Sequence, residues 1–341
     1  LNDASSSHIV LTGGVSDIGT AFAQANGTTT ASLTAYKAQD NDAPITVSDA
    51  VTVAQFNTLD DASSVAVTLA GGISDTADNL GEDGNAKAAF VAAASQDPDV
   101  AVSLADTPTV AELNAIAAET TGVVTATIAS SVIADLASLT TSATDAITIT
   151  VSNELLVDQF NGLDGKTSVD IVISDKVTDA IENFVQADGT SSTGLAAIKI
   201  QDADVGITVN DQVTIAEFGV LDDASSSHVV LDAGISDLAA TLATNASTIG
   251  AQDDDADFTI TDAATVAQYD AIDAETSGDI IVGSGLVDPG DNLLASAASR
   301  DFGTLYSEVA FIQMTDAMTG NASITGTDAQ TVDGVSFSGN D

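Results

Sequence analysis

The chain has no cysteine, no tryptophan, 4 prolines and 4% aromatic residues, and it sets 6 lysines and arginines against 51 aspartates and glutamates. Without cysteine there can be no disulfide, zinc-thiolate site or thiol nucleophile, an absence compatible with secretion. A net charge of −45 excludes nucleic acid and anionic membrane surfaces as partners, because both are polyanions that must be met by Lys and Arg. The same charge opposes compaction by self-repulsion and favours salty or calcium-containing water. No apolar stretch is long enough to span a bilayer. The chain opens on Leu1 with no leader-like segment, as a processed or truncated product would. With few aromatics, a chain that is 44% hydrophobic must build a thin core from Ala, Val, Ile and Leu.

What the chain has is repetition. Residues Leu1-Asn2-Asp3-Ala4-Ser5-Ser6-Ser7-His8-Ile9-Val10-Leu11 return as Leu221-Asp222-Asp223-Ala224-Ser225-Ser226-Ser227-His228-Val229-Val230-Leu231, and Leu59 to Val67 is a third copy without the histidine. Gly71-Gly72-Ile73-Ser74-Asp75 then parallels Gly13 to Asp17 and Gly234 to Asp237. A second marker is Thr52-Val53-Ala54-Gln55-Phe56, repeated at Thr109 to Leu113, Thr214 to Phe218 and Thr265 to Tyr269, with Leu156 to Phe160 as a degenerate copy. The anchors Phe56, Leu113, Phe160, Phe218 and Tyr269 are unevenly spaced, so loops vary on a constant frame.

Each Thr-x-x-Gln/Glu is a capping box that starts a helix. The apolar positions behind it fall three apart (Val53, Phe56, Leu59; Val266, Tyr269, Ile272) and predict one narrow buried stripe. Before each box lies a short alternating run: Ile45 to Ser48, Val100 to Leu104, Ile147 to Val151, Ile207 to Asn210 and Phe258 to Thr261. After each helix comes another: Val65 to Leu69, Val123 to Ile128, Val169 to Ile173, Val229 to Leu231 and Ile280 to Val282. These read as strands, each second one followed by a further helical segment, so the unit is β-α-β-α. Strands separated by helices should be parallel, and a repeated unit that buries its face only against its neighbours predicts an α/β repeat solenoid over residues 1–302. A doubly wound sheet shares the alternation but does not require sequence identity between units. Residues 303–341 break the pattern and are expected to form a C-terminal cap or a linker and docking segment.

Candidate chemistry is sparse. His8 and His228 occupy one repeat position with no companion nucleophile, so no catalytic role is assigned and the chain is read as a non-enzyme. The runs before the first strands carry paired carboxylates: Asp40 and Asp42, Asp97 and Asp99, Asp202 and Asp204, Asp253 and Asp255. Stacked in register these would repel, and Ca²⁺, with its flexible shell of oxygen ligands, is the expected compensation. The alternative is that they are solvated turn and helix-end aspartates. Thr and Ser on the strands (Thr46, Ser48; Thr148, Thr150; Thr208; Thr259, Thr261) suggest a hydroxyl row. Asn26-Gly27-Thr28, Asn245-Ala246-Ser247 and Asn321-Ala322-Ser323 match the N-glycosylation acceptor pattern.

Units of the form Val-x-Asp-x-x-Thr-Val-Ala-Gln, as at Val47 to Gln55, in an Ala/Thr/Asp-rich chain free of cysteine, resemble the giant repetitive cell-surface proteins of marine and other cyanobacteria. The resemblance spans about residues 1–300 and implies a secreted structural or adhesive protein of a surface coat or filament. Its partners would be further copies of itself, joined head to tail, and surface polysaccharide. A phage or virion fibre shares the repeats. A polysaccharide-active solenoid would need clustered carboxylates beside basic or aromatic residues. Leu1 aligns with Leu221 in mid-unit, so a preceding half-unit or the 309–341 segment of another copy is expected to cover the first strand near Ile9 to Leu11.

Overall fold

The computed structural model describes residues 10–289 and the short strands Ile312–Met314 and Val335–Ser336. The expected boundary at 302–303, His8 and most of the C-terminal segment lie outside the described residues. The protein is α/β, and its described strands form open, parallel sheets apart from one short antiparallel hairpin, Gly81–Glu82 with Asn85–Ala86.

The strands are short because the alternation that makes them is short. In Ile45–Val47, Val67–Leu69, Phe258–Ile260 and Ile280–Val282 the two outer apolar residues are buried and the middle one is turned away from the core. Strands this short hold only by stacking, and their register shows how: Ile45 lies beside Val67, Val51 beside Ile73, Val213 beside Ile235 and Ala264 beside Leu286. Where segments are inserted the step lengthens, as from Val15 to Ile45 and from Ile73 to Val102.

All four intact capping boxes form as the spacing predicts. Thr52, Thr109, Thr214 and Thr265 each accept the backbone N–H three residues on, and the Gln or Glu at that position bonds back to the threonine N–H. The helices that follow, Val53–Asp60, Val110–Ala117, Ile215–Asp222 and Val266–Asp273, are all eight residues long. Each buries its anchor side chain together with the residue three positions on: Phe56 and Leu59, Leu113 and Ile116, Phe218 and Leu221, Tyr269 and Ile272, as do Phe160 and Leu163 of the degenerate copy. The other large buried aromatic side chains, Phe22, Tyr36, Phe90, Phe184 and Phe258, come from the remaining helices and strands, so the few aromatics of the described residues are concentrated in the core.

The structure adds a strand that the sequence pattern did not show. After the glycine turns, Val15–Asp17, Ile73–Asp75, Ile235–Asp237 and Leu286–Asp288 are extended, and so is Lys176–Asp179, rather than leading directly into the second helix. Gly72 makes this possible. Its φ is +78°, its N–H donates to Leu69 O, and Ile73 N–H then donates to Ala101 O, 2.8 Å away. The second helix also varies. It runs unbroken over Ala239–Gln252, but elsewhere a hairpin splits it, as between Ala77–Leu80 and Ala88–Gln96.

The described chain forms two compact units. One holds the described residues up to Asn153 with Asp158–Ser174; its sheets are Val15–Asp17/Ile45–Val47/Val67–Leu69 and Ile73–Asp75/Val102–Leu104/Val124–Thr127/Ala146–Val151/Ile171–Ile173. The other holds Glu154–Val157 and the described residues from Asp175 onward; its sheets are Lys176–Asp179/Gly206–Val209/Val229–Leu231, Ile235–Asp237/Phe258–Ile260/Ile280–Val282 and Leu286–Asp288/Ile312–Met314/Val335–Ser336.

Candidate functional site

The acidic residues are the chain's dominant chemistry, and the fold places a subset of the aspartates in three recurring positions. The first is the last residue of the added strand. Asp75 Oδ2 accepts the N–H of Val53 at 3.0 Å, and Asp179, Asp237 and Asp288 accept those of Val157, Ile215 and Val266 at 3.1, 3.3 and 2.9 Å. Each donor is the first residue of a helix 22 positions earlier, one of the orphan N–H groups that a helix cannot satisfy itself. A carboxylate is also favoured there by the positive end of the helix dipole. The second oxygen of Asp75 receives Thr76 N–H and the Asn79 amide, and Asp179 repeats this with Ala180 and Asn183.

The second position follows the first strand of the unit. Asp49, Asp106, Asp211 and Asp262 accept the first N–H of the short or second helix from Gly19, Ala77, Ile181 and Ala239, at 2.6 to 2.7 Å. Asn153 does the same for Ile133 at 2.8 Å, which shows that an amide oxygen can replace the carboxylate.

The third position contains the predicted calcium ligands. Gln96 Oε1 accepts Val67 N–H and Asp97 Oδ2 accepts Leu69 N–H, both at 2.9 Å. Gln252 and Asp253 bond Val229 and Leu231 in the same way, at 3.3 and 2.7 Å, and the Asp40 carboxylate receives Leu11 N–H. The Gln-Asp pair at a helix end thus acts as a side-chain strand, closing an edge that would otherwise present unpaired N–H groups. Asp202 caps the helix Thr193–Gln201 at the equivalent place. The second members of the pairs, Asp42, Asp99, Asp204 and Asp255, are exposed. Among the described residues, no group of three or more His, Asp or Glu side chains is placed to hold a metal ion.

Two electrostatic perturbations bear on this arrangement. Burial, reinforced by the neighbouring Asp255 carboxyl, holds Asp253 above the ordinary carboxylate range even though Leu231 N–H pulls the other way. Glu112, in its capping box, is held below that range by the Thr109 N–H and hydroxyl.

His228 is exposed, with Nδ1 3.2 Å from the carbonyl oxygen of Gln252. The hydroxyl row forms in part: Thr46 lies beside Thr68, Ser74 beside Ser103 and then Thr125, Thr178 beside Thr208, and Ser236 beside Thr259. Val172, Val230 and Ile281 interrupt it on the last strand of their sheets.

Sequence reasoning passed over the first two aspartate positions. The signal was nonetheless present, in Ile-Ser-Asp at 73–75 and 235–237 and in the Asp two residues beyond Val47, Leu104, Val209 and Ile260. Comparison of the chain with protein-family models, curated proteins and solved structures finds no match.

Proposed function

We propose that the chain is a non-catalytic structural or adhesive protein of an extracellular surface coat or filament, built as an α/β solenoid that associates with further copies of itself. One observation carries this reading: aspartate carboxylates recur at fixed places in several of the units and bind the backbone N–H groups of a neighbouring segment. Side chains that could have furnished a reaction site serve instead to join one segment to the next. Such a chain gains stability from each added unit, which suits an extended material.

Calcium stabilisation remains part of the proposal, supported by the net charge of −45 rather than by a coordination shell. Surface polysaccharide is proposed as a second partner, facing the exposed hydroxyls of Thr68, Ser103 and Thr125.

Electron microscopy and light scattering of the purified chain, with and without calcium, test the reading. Filaments, a lattice or concentration-dependent multimers are expected. A chain that stays monomeric at high concentration and turns over a polysaccharide or another substrate would overturn it.

A further inference from the structure

Of the three matches to the N-glycosylation pattern, the two that are described differ completely in setting. Asn26-Gly27-Thr28 lies in a hairpin turn closed by an antiparallel bridge between Ala23 and Thr29. Gln24 N–H donates to Thr28 O, Gly27 N–H donates to Gln24 O, and Gly27 sits at a φ of +81° that favours glycine. The turn is held against the helix Val53–Asp60, since the Thr52 hydroxyl donates to Ala25 O at 2.7 Å and the Thr58 hydroxyl to Gly27 O at 2.6 Å. Asn26 and Thr28 remain exposed. Thr28 N–H donates to Asn26 Oδ1 at 3.0 Å, which fixes the side chain and leaves Nδ2 toward solvent. A donor on the amide oxygen also makes the Nδ2 protons more acidic, and one of them must leave when that nitrogen forms a bond.

Asn245 is the opposite case. It lies inside the helix Ala239–Gln252, its Nδ2 donates to Thr241 O at 2.8 Å, and its neighbour Ala246 is buried in the core. An enzyme that must grip Asn-x-Ser/Thr in an extended or turn conformation cannot seat this helical copy without unwinding it.

We propose that Asn26 is a modification site that accepts an N-linked glycan on the folded protein and that Asn245 is not. The donor class is a lipid diphosphate-linked oligosaccharide. Nδ2 of Asn26 forms a bond to the sugar C1, the bond from C1 to the phosphate oxygen breaks, the lipid diphosphate leaves, and Nδ2 loses a proton. The opportunity for this reaction rests on the extracellular reading above. The competence of the site does not, so the two can fail separately.

The test incubates the folded, purified full chain, and separately a synthetic peptide of residues 20–32, with a purified single-subunit oligosaccharyltransferase and a lipid diphosphate-linked glycan. Peptide mapping by mass spectrometry reads each acceptor. The expected result is a glycan at Asn26 in both samples, its loss in Asn26→Gln, and an Asn245 peptide modified more than tenfold less in the folded chain than after unfolding. An unmodified Asn26 in the folded chain overturns the proposal, as does modification of folded Asn245 at the rate of Asn26. None of these outcomes bears on self-association, which is measured independently.

Discussion

The carboxylate of Asp75 accepts the backbone N–H of Val53, the residue that opens a helix 22 positions earlier in the chain. Both residues are buried, so the N–H has no access to water if the carboxylate is removed. Asp75→Ala is therefore expected to cost about 1–3 kcal/mol, the usual penalty for a buried donor left unpaired, and to lower Tm in thermal denaturation. Asp75→Asn keeps one acceptor oxygen and should lose less, as Asn153 does the same task for Ile133. Equal losses for the two variants would show that charge, rather than acceptance of the hydrogen bond, is what matters.

Gly72 is expected to tolerate no side chain. A Cβ there would lie 2.4 Å from the carbonyl oxygen of Ala101, and the φ of +78° alone costs an L-residue about 1–2 kcal/mol. Gly72→Ala should therefore destabilise by more than that figure in urea denaturation. Gly162, beside whose ideal Cβ nothing lies within 4 Å, is the control: Gly162→Ala in the helix Val157–Asp164 should be neutral or stabilising. Indistinguishable midpoints for the two variants would contradict the turn geometry.

Asp253 gives a pH dependence of unusual sign. Its folded pKa is raised above the ordinary 3.8, first by burial and then by Asp255, so its ionised form is a burden on the fold. That burden is fully present above the folded pKa, shrinks as pH falls through it and is gone below the unfolded value. Asp255→Asn removes part of the cause and should raise Tm at pH 7. The advantage should fade as the pH approaches 4. A constant advantage across that range would mean that the two carboxyls do not interact.

Much of this fold was legible because its signals are local. The capping boxes at Thr52, Thr109, Thr214 and Thr265 and the buried stripe through Val53, Phe56 and Leu59 are set by residues within about two turns of helix. The strand Ile73–Asp75 was not legible in the same way. Three residues, Ile-Ser-Asp, carry almost no periodicity, and they are extended because Val51 and Val102 flank them in space. The Gln-Asp pairs were visible as a pattern, but their role was not. Gln96 and Asp97 find their partners in Val67 and Leu69, 29 and 28 residues away, a distance at which composition suggests repulsion and a counterion just as readily as a hydrogen bond.

The central claim is that the recurring aspartates hold neighbouring segments together by accepting backbone hydrogen bonds. Amide hydrogen exchange at Val53, Leu69, Val157, Leu231 and Val266, measured at neutral pH in chelator and again with calcium, tests it most directly. The account predicts that these five amides are protected in chelator to the level of amides inside the parallel strands, and that calcium slows all of them together if it stabilises the fold. Exchange near the free-peptide rate in chelator, with protection of these amides appearing only when calcium is added, would show that the carboxylates are metal ligands and that the claim is wrong.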